Sequence, residues 1–305
     1  MVLSFMALGE CMVELSDQGD GLYRRGFAGD TFNTAWYARH VLPFEWQVHF
    51  GSCIGSDEAS HQMRVFMEDA GIGTTSLRVI PDQTVGLYMI DLHQGERHFS
   101  YWRSQSAARR LADDPSWLRR MLSGHKVIYF SGITLAILPP EGRLTLCAAL
   151  LEARKGGAIV AFDTNLRPQL WKDHATMQAA ILEGARVADI ILPSFDEEQM
   201  IFAGTSAQEA IERYRTAGAR VIVLKDGVGD VRLWDEVDGL RILNCDPVAN
   251  IVDSTAAGDS FGGAFVAHLV QGATIEDAAK AAMLVAREVI QYRGALVPEI
   301  FKGGE

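Results

Sequence analysis

The stretch Ala158-Ile159-Val160-Ala161-Phe162-Asp163-Thr164-Asn165-Leu166-Arg167-Pro168 carries the plan of the fold. Its first five residues are apolar without alternation, the pattern of a strand covered on both faces. The chain then turns polar at once, and Pro168 stiffens the exit. Working outward, β-rich runs of the same kind recur at 2–8, 47–53, 127–132, 190–193, 220–225 and 231–235. Amphipathic stretches at 31–41, 58–70, 141–155, 174–185 and 207–217 lie between them. Strand followed by helix at this cadence predicts βαβ units, hence an α/β protein with a mainly parallel sheet covered on both sides.

The segment 84–103 (TVGLYMIDLHQGERHFSYWR) breaks the rhythm. It has no helical period, and Gln94-Gly95 near its middle is a turn signal, so it reads as an inserted β-hairpin. A two-residue loop sets His93 opposite Glu96, Tyr88 opposite Tyr101, Ile90 opposite Phe99 and Gly86 opposite Arg103. A strand-like stretch at 21–28 is expected to pair with this hairpin in a small separate sheet. Its apolar residues Leu87, Met89 and Trp102 would be exposed on a monomer, so chains are expected to associate through it. No repeat, low-complexity tract or Pro/Ser-rich tether divides the sequence. One domain over 1–305, with lid strands at approximately 10–29 and 84–103, is the expected organisation.

Composition bounds the function. Of 305 residues, 48% are hydrophobic and 22% charged, with 29 Gly and 9 Pro, which excludes collagen-like and disordered classes. A net charge of -11 repels phosphate backbones and anionic lipid, so nucleic acid and membrane are poor partners. Cys11, Cys53, Cys147 and Cys245 lie far apart with no C-x-x-C pair, as free thiols of a reducing compartment would. The scattered histidines offer no zinc or haem spacing. The start Met1-Val2-Leu3-Ser4-Phe5 has no basic leader, and no apolar run reaches the ~20 residues of a spanning helix. A cytoplasmic, soluble protein is expected.

The strongest chemical signal is Asp253-Ser254-Thr255-Ala256-Ala257-Gly258-Asp259. Small side chains at 256–258 let a polyanion approach the bare backbone, and Asp259 opens a run of helical period. The first amides of that helix and the positive end of its dipole would face the ligand. A carboxylate there is badly placed to hold a phosphate and well placed to take a proton from a hydroxyl. An ordinary Asp N-cap on a Gly/Ala-rich helix would read the same way.

Lys225-Asp226-Gly227-Val228-Gly229-Asp230 follows another strand and suits either a nucleotide or a hairpin turn. No Walker A loop or G-x-G-x-x-G fingerprint occurs, which argues against P-loop, Rossmann and protein-kinase chemistry. Three further clusters fall at strand C-terminal ends, where open α/β sheets bind ligands. They are Asp163-Thr164-Asn165-Leu166-Arg167, Ser194-Phe195-Asp196-Glu197, and Gly29-Asp30-Thr31-Phe32-Asn33. Ser194 with Glu197 also spells a capping box, and Asp30 a cap.

Taken in order, Gly29-Asp30…Asn33, Asp163-x-Asn165-x-Arg167, Ser194-x-x-Glu197, Lys225-x-Gly227 and Asp253-x-x-Ala256-Ala257-Gly258-Asp259 resemble the ribokinase-like (PfkB) sugar kinases over essentially the whole chain. Within that family the likeness is to the branch acting on 2-keto-3-deoxygluconate. It rests on Gly-Asp-Thr-Phe-Asn-Thr-Ala at 29–35, the aromatic and basic lid residues, Pro-Ser-Phe-Asp-Glu at 193–197 and the Ala-Ala anion loop.

The resemblance implies a ribokinase-like three-layer α/β/α sandwich with a small β-sheet lid, and transfer of phosphate from ATP to a sugar hydroxyl. Asp259 would be the base, and the amides of Ala256, Ala257 and Gly258 the anion hole. Gly29, Asp30 and Asn33 would grip the sugar, Tyr88, Tyr101 and Arg103 would close over it, and Asn165 and Arg167 would sit where sugar and phosphates meet. Ser194, Lys225, Asp226, Gly227, Gly229 and Asp230 would line the nucleotide, with a helix at 275–291, capped by Thr274, walling the adenine side. Glu197 would hold Mg²⁺ through water, and Asp253 would belong to a monovalent-cation (K⁺) site.

Ala28, Ala256 and Ser194 depart from the family's usual Gly, Gly and Asn. If position 256 needs a positive φ, alanine carries about 1 kcal/mol of strain. Arg103 on the lid and Arg167 from the core favour an acidic substrate, since a guanidinium fork matches a carboxylate, unless Arg167 serves the ATP phosphates instead. The alternatives are another sugar of the same family, such as ribose, fructose or a related keto-deoxy sugar acid, or a silent sugar- or nucleotide-binding sensor. Turnover across a sugar panel separates all three.

Overall fold

The computed structural model describes residues 2–93, 96–227, 229–246, 248 and 250–302. Its strands are β1 (Val2–Leu8), β2 (Met12–Gly19), β3 (Leu22–Ala28), β4 (Gln47–Ile54), β5 (Leu77–Val79), β6 (Gly86–His93), β7 (Glu96–Trp102), β8 (His125–Ser131), β9 (Ile159–Asp163), β10 (Ile190–Ile191), β11 (Val221–Leu224), β12 (Val231–Asp235) and β13 (Gly239–Leu243). The helices are α1 (Asp30–Val41), α2 (Glu58–Asp69), α3 (Pro115–Leu122), α4 (Gly132–Ile137), α5 (Pro140–Lys155), α6 (His174–Arg186), α7 (Phe195–Ile201), α8 (Ala207–Ala217), α9 (Ala257–Val270) and α10 (Ile275–Val289).

The large sheet runs β13-β12-β11-β10-β9-β8-β1-β4-β5 and is parallel from β11 to β5; β12 and β13 add an antiparallel edge. Alternation along each inner strand feeds two cores. Phe5, Ala7, Val127, Tyr129 and Ala161 pack with α1, α9 and α10 on one face. Met6, Leu8, Ile128, Phe130, Val160 and Phe162 pack with α5, α6 and α8 on the other. Helices on both faces make the three-layer sandwich that the apolar run at 158–162 predicts. Strand order reverses at β1, with β8 on one side and β4 on the other, so a crevice opens beyond the strand C-terminal ends. Among the described residues no helix is long and apolar enough to cross a membrane.

The small sheet has the order β3-β2-β6-β7. The hairpin register is as expected, His93 pairing with Glu96, Tyr88 with Tyr101 and Ile90 with Phe99; its turn, Gln94-Gly95, lies outside the described residues. Two expectations need correction. The strand at 21–28 does not pair with the hairpin; β2 intervenes, antiparallel to β3 and parallel to β6. The ladder also begins at Leu87–Trp102, so Gly86 and Arg103 are not a strand pair. Of the three apolar lid residues, Trp102 is exposed, whereas Leu87 packs on the main core and Met89 is half-buried.

Candidate active site

The loop 253–256 is tied down by the residue that opens it. Asp253 is buried, and its two oxygens accept the amides of Thr255 at 3.0 Å and Gly294 at 2.7 Å. Ala256 then turns left-handed, at φ +60°, and α9 begins at the next residue. The strain expected at 256 is therefore present: an L-residue there costs roughly 1 kcal/mol. Ala256→Gly is expected to raise unfolding stability by up to about 1 kcal/mol, less the entropy glycine loses. Denaturant titration checks this, and an unchanged midpoint would mean that the loop stores no strain. The Ala257 amide donates to the Ser254 carbonyl at 3.2 Å. The next amides of α9 lie in its first turn, where no intrahelical carbonyl takes them.

Asp259, in that first turn, is half-buried and lines a cavity of about 480 Å³ between the sheet ends and the lid. Its Oδ2 accepts a hydrogen bond from Asn33 Nδ2 at 2.8 Å. Thr34 Oγ1 reaches the main-chain carbonyls of both Asp30 (3.1 Å) and Asp259 (3.3 Å), pinning α1 to α9. Asp30 accepts from Asn165 Nδ2 at 2.9 Å, and Asn165 sits at φ +32° just past β9. The Asn165 amide donates to Asp163, which also takes Lys225 Nζ at 3.2 Å and the Tyr129 hydroxyl at 3.3 Å. Three carboxylates thus converge. Burial, with Asp30 and Asp163 close by, pushes the Asp259 carboxyl well above its usual range, against the pull of Asn33 and Arg167. Asp30 is raised too, chiefly by burial, with Ser131, Thr31 and Arg103 opposing.

Every cationic group expected here has a carboxylate partner. Arg167 Nη1 donates to Glu197 at 2.5 Å, and Arg103 Nε donates to Glu10 at 2.8 Å. Glu197 also accepts the Leu166 amide at 2.9 Å, and burial raises its carboxyl although Arg167 and that amide oppose the shift. The capping box at Ser194 does not form: Ser194 makes no side-chain cap bond, because Glu197 is drawn to Arg167. Nor is Asp30 the cap of α1: that position falls to Gly29, and Asp30, one residue on, accepts from Asn165. Tyr88 donates to Glu14, and the Tyr101 ring lies tilted beside it at 5.8 Å between centroids.

A second cavity, of about 570 Å³, lies between β13 and α10. Its apolar wall comes from Phe261, Met283 and Leu284. Thr274 caps α10 as expected, its Oγ1 accepting the Asp277 amide at 3.1 Å, and the helix ends at Val289. Ser194, Glu197, Lys225, Ala257 and Gly258 line both cavities, so the two spaces meet at the first turn of α9, beside Asp259.

The first cavity gathers Gly29, Asp30, Asn33, Tyr88, Tyr101, Arg103, Asn165, Arg167 and 256–259, the residues expected around a sugar. Of the nucleotide set, Ser194, Lys225 and Gly227 line the second cavity, whereas Asp226, Gly229 and Asp230 line neither. The reason is local: β11 turns back into antiparallel β12, and Asp226 pairs with Arg232 at 3.2 Å inside that hairpin. Asp163 belongs to the cluster expected at the end of β9, and the structure adds that it holds Lys225. Glu10 was not among the expected residues; its place just beyond the C-terminal end of β1 is the signal that points to it.

A family model described as pfkB family carbohydrate kinase matches residues 4–300. A 2-dehydro-3-deoxygluconokinase of Dickeya dadantii is 36% identical over 303 residues, covering 95% of this chain and 96% of its own. One from Escherichia coli K12 is 36% identical over 297 residues, with the same coverage. Among solved structures, a fructokinase from Xylella fastidiosa with bound ATP superposes with a TM-score of 0.83 at 20% identity, covering 97% of this chain and 94% of that one.

Proposed function

From a chain that belongs to the pfkB family of carbohydrate kinases, we propose the reaction: the terminal phosphoryl group of ATP passes to the 6-hydroxyl of 2-dehydro-3-deoxygluconate, releasing ADP. The protein is a phosphotransferase with an alcohol acceptor. The observation that carries the assignment of roles is the meeting of two cavities at Asp259, which gives acceptor and donor one shared wall.

In this reading the sugar acid fills the cavity under the lid. Asp30, Asn33 and Gly29 hold its hydroxyls, Tyr88 and Tyr101 cover it, and Arg103 with Arg167 faces its carboxylate. ATP lies in the second cavity, its base against Met283 and Leu284 and its phosphates toward Lys225 and the start of α9. Asp259 takes the proton of the attacking hydroxyl, and its upward-shifted carboxyl makes it a stronger base than an ordinary aspartate. The first-turn amides and the helix dipole meet the charge that gathers on the transferred group. Lid closure keeps water from competing as acceptor.

Glu197 is the carboxylate that would serve Mg²⁺. Its oxygens are shared with Arg167 and an amide, and no cluster of three metal-binding side chains occurs among the described residues. That fits an ion held mainly by phosphate oxygens and water, with Glu197 in its outer sphere. The ion would neutralise phosphate charge during transfer. Asp253 and the carbonyls of its loop are the hard oxygen donors that would hold a monovalent cation beneath the amides.

The deciding experiment is ADP release over a panel of 2-dehydro-3-deoxygluconate, ribose and fructose. Turnover is expected on the sugar acid; turnover on fructose with none on the acid would overturn the choice. Pairing of two chains through the lid, supported by exposed Trp102, Phe99 and Tyr101, predicts a light-scattering mass above that of one chain. A mass of 33.5 kDa would remove it.

A further inference from the structure

The chain passes between the large sheet and the lid at four places: after β1, before α1, into β6 and out of β7. Glu10 touches all of them. It is itself the step out of β1. A methyl group on Gly29, the step into α1, would collide with the Glu10 carbonyl. A Cβ on Gly86, the step into β6, would stand 2.7 Å from Glu10 Oε1 and 3.3 Å from Arg103 Cβ. Arg103, the step out of β7, donates both Nε and Nη2 to Glu10 Oε2. The Glu10 and Arg103 side chains are 1% and 10% exposed, and Oε1 is buried without a hydrogen-bond partner.

We propose that Glu10 is a positioning residue that seats the lid on the core and, by the same contact, aims Arg103 at the wall of the sugar cavity. The second half rests on the reading of that cavity as the acceptor site. Glu10 is the carboxylate that Arg103 is hydrogen-bonded to; its other described neighbours hold it less directly, the Tyr101 ring 5.9 Å away and the charge of Asp30 across the cavity. Removing one partner of a buried pair strands the other's charge. Here the stranded group would lie in the hinge, where two glycines leave no slack to absorb a shift.

The test uses the full chain with Glu10→Gln, which keeps size, and Glu10→Asp, which keeps charge but falls short of Arg103. In the ligand-free protein, amides of β2, β6 and β7 are expected to exchange about tenfold or more faster in both variants, with β8 and β9 unchanged. In kinetics, KM for the sugar acid is expected to rise about tenfold while KM for ATP stays within about twofold. Placed on an Arg103→Gln background, Glu10→Gln should add nothing further to the sugar KM. Unaltered lid exchange, equal loss of protection in β8 and β9, or a full additional effect in the double variant would overturn the proposal. If the unmodified chain turns over a different sugar while lid exchange behaves as expected, the substrate reading fails and the seating role stands. Should Glu10→Gln not fold, Glu10→Asp and Arg103→Gln carry the exchange measurement from either side.

Discussion

Asp259→Asn is expected to lose about 10²–10⁴-fold in kcat, the range a positioned general base supplies, while folding normally and becoming more stable at neutral pH. Asparagine keeps the hydrogen bond from Asn33, because its Oδ1 accepts as the carboxylate does. What it loses is the proton acceptor. The stability gain follows from the carboxyl's environment. Burial beside Asp30 and Asp163 raises its folded pKa above the unfolded value of about 3.9. The folded state therefore binds the proton more tightly than the unfolded chain does. Stability is highest below the unfolded pKa, declines as pH rises toward the raised folded pKa, and beyond it the loss is complete. The variant escapes that loss, so its melting temperature should exceed that of the unmodified protein at pH 8 and converge with it near pH 4. The same shift places the acid limb of kcat/KM above the ordinary carboxylate range. Near-native kcat in Asp259→Asn would refute the assignment of the base, and identical melting curves at both pH values would refute the convergence of carboxylates.

Gly29→Ala is expected to lower kcat/KM for the sugar by about 10²-fold and to cost about 1–3 kcal/mol of stability, the usual price of overpacking. The backbone is not the obstacle, since φ at 29 is 176°, an extended value open to any residue. The obstacle is the main chain of Glu10 and Cys11: the added carbon would stand 3.1 Å from the Cys11 Cα and closer still to the Glu10 carbonyl. Backbone cannot rotate out of the way as a side chain can. The first and second core-to-lid crossings would separate, carrying Asp30 and Asn33 away from Asp259. Thermal unfolding and steady-state kinetics measure both losses. Activity close to that of the unmodified protein would show that the crossing yields freely.

Much of this was legible in the chain because it depends on near neighbours. The unbroken apolar run at 158–162 implied a strand covered twice, and β9 is buried between two helical layers. The hairpin register followed from loop length alone, since a two-residue loop leaves one pairing. Alanine at a loop position where the family resemblance has glycine foretold strain, and Ala256 has the left-handed φ that causes it. The place of β2 was not legible. Its residues alternate as well as those of β3 do, and nothing local decides which strand lies next to the hairpin. Nor was the fate of Ser194-x-x-Glu197: a capping box and a cleft carboxylate share one spelling, and only Arg167, 30 residues upstream, decides between them.

The identity and order of the chemical groups, and the layers that carry them, were thus determined by sequence alone, because period, turn chemistry and a short glycine-alanine loop act over a few residues. The three-dimensional structure decided which charges face each other. Glu10 with Arg103 spans 93 residues and Asn33 with Asp259 spans 226. The raised carboxyl of Asp259 exists only once Asp30 and Asp163 are packed beside it in the half-buried cavity wall. Electrostatics between groups so distant along the chain is a property of the folded cavity, since in the extended chain solvent separates and screens them.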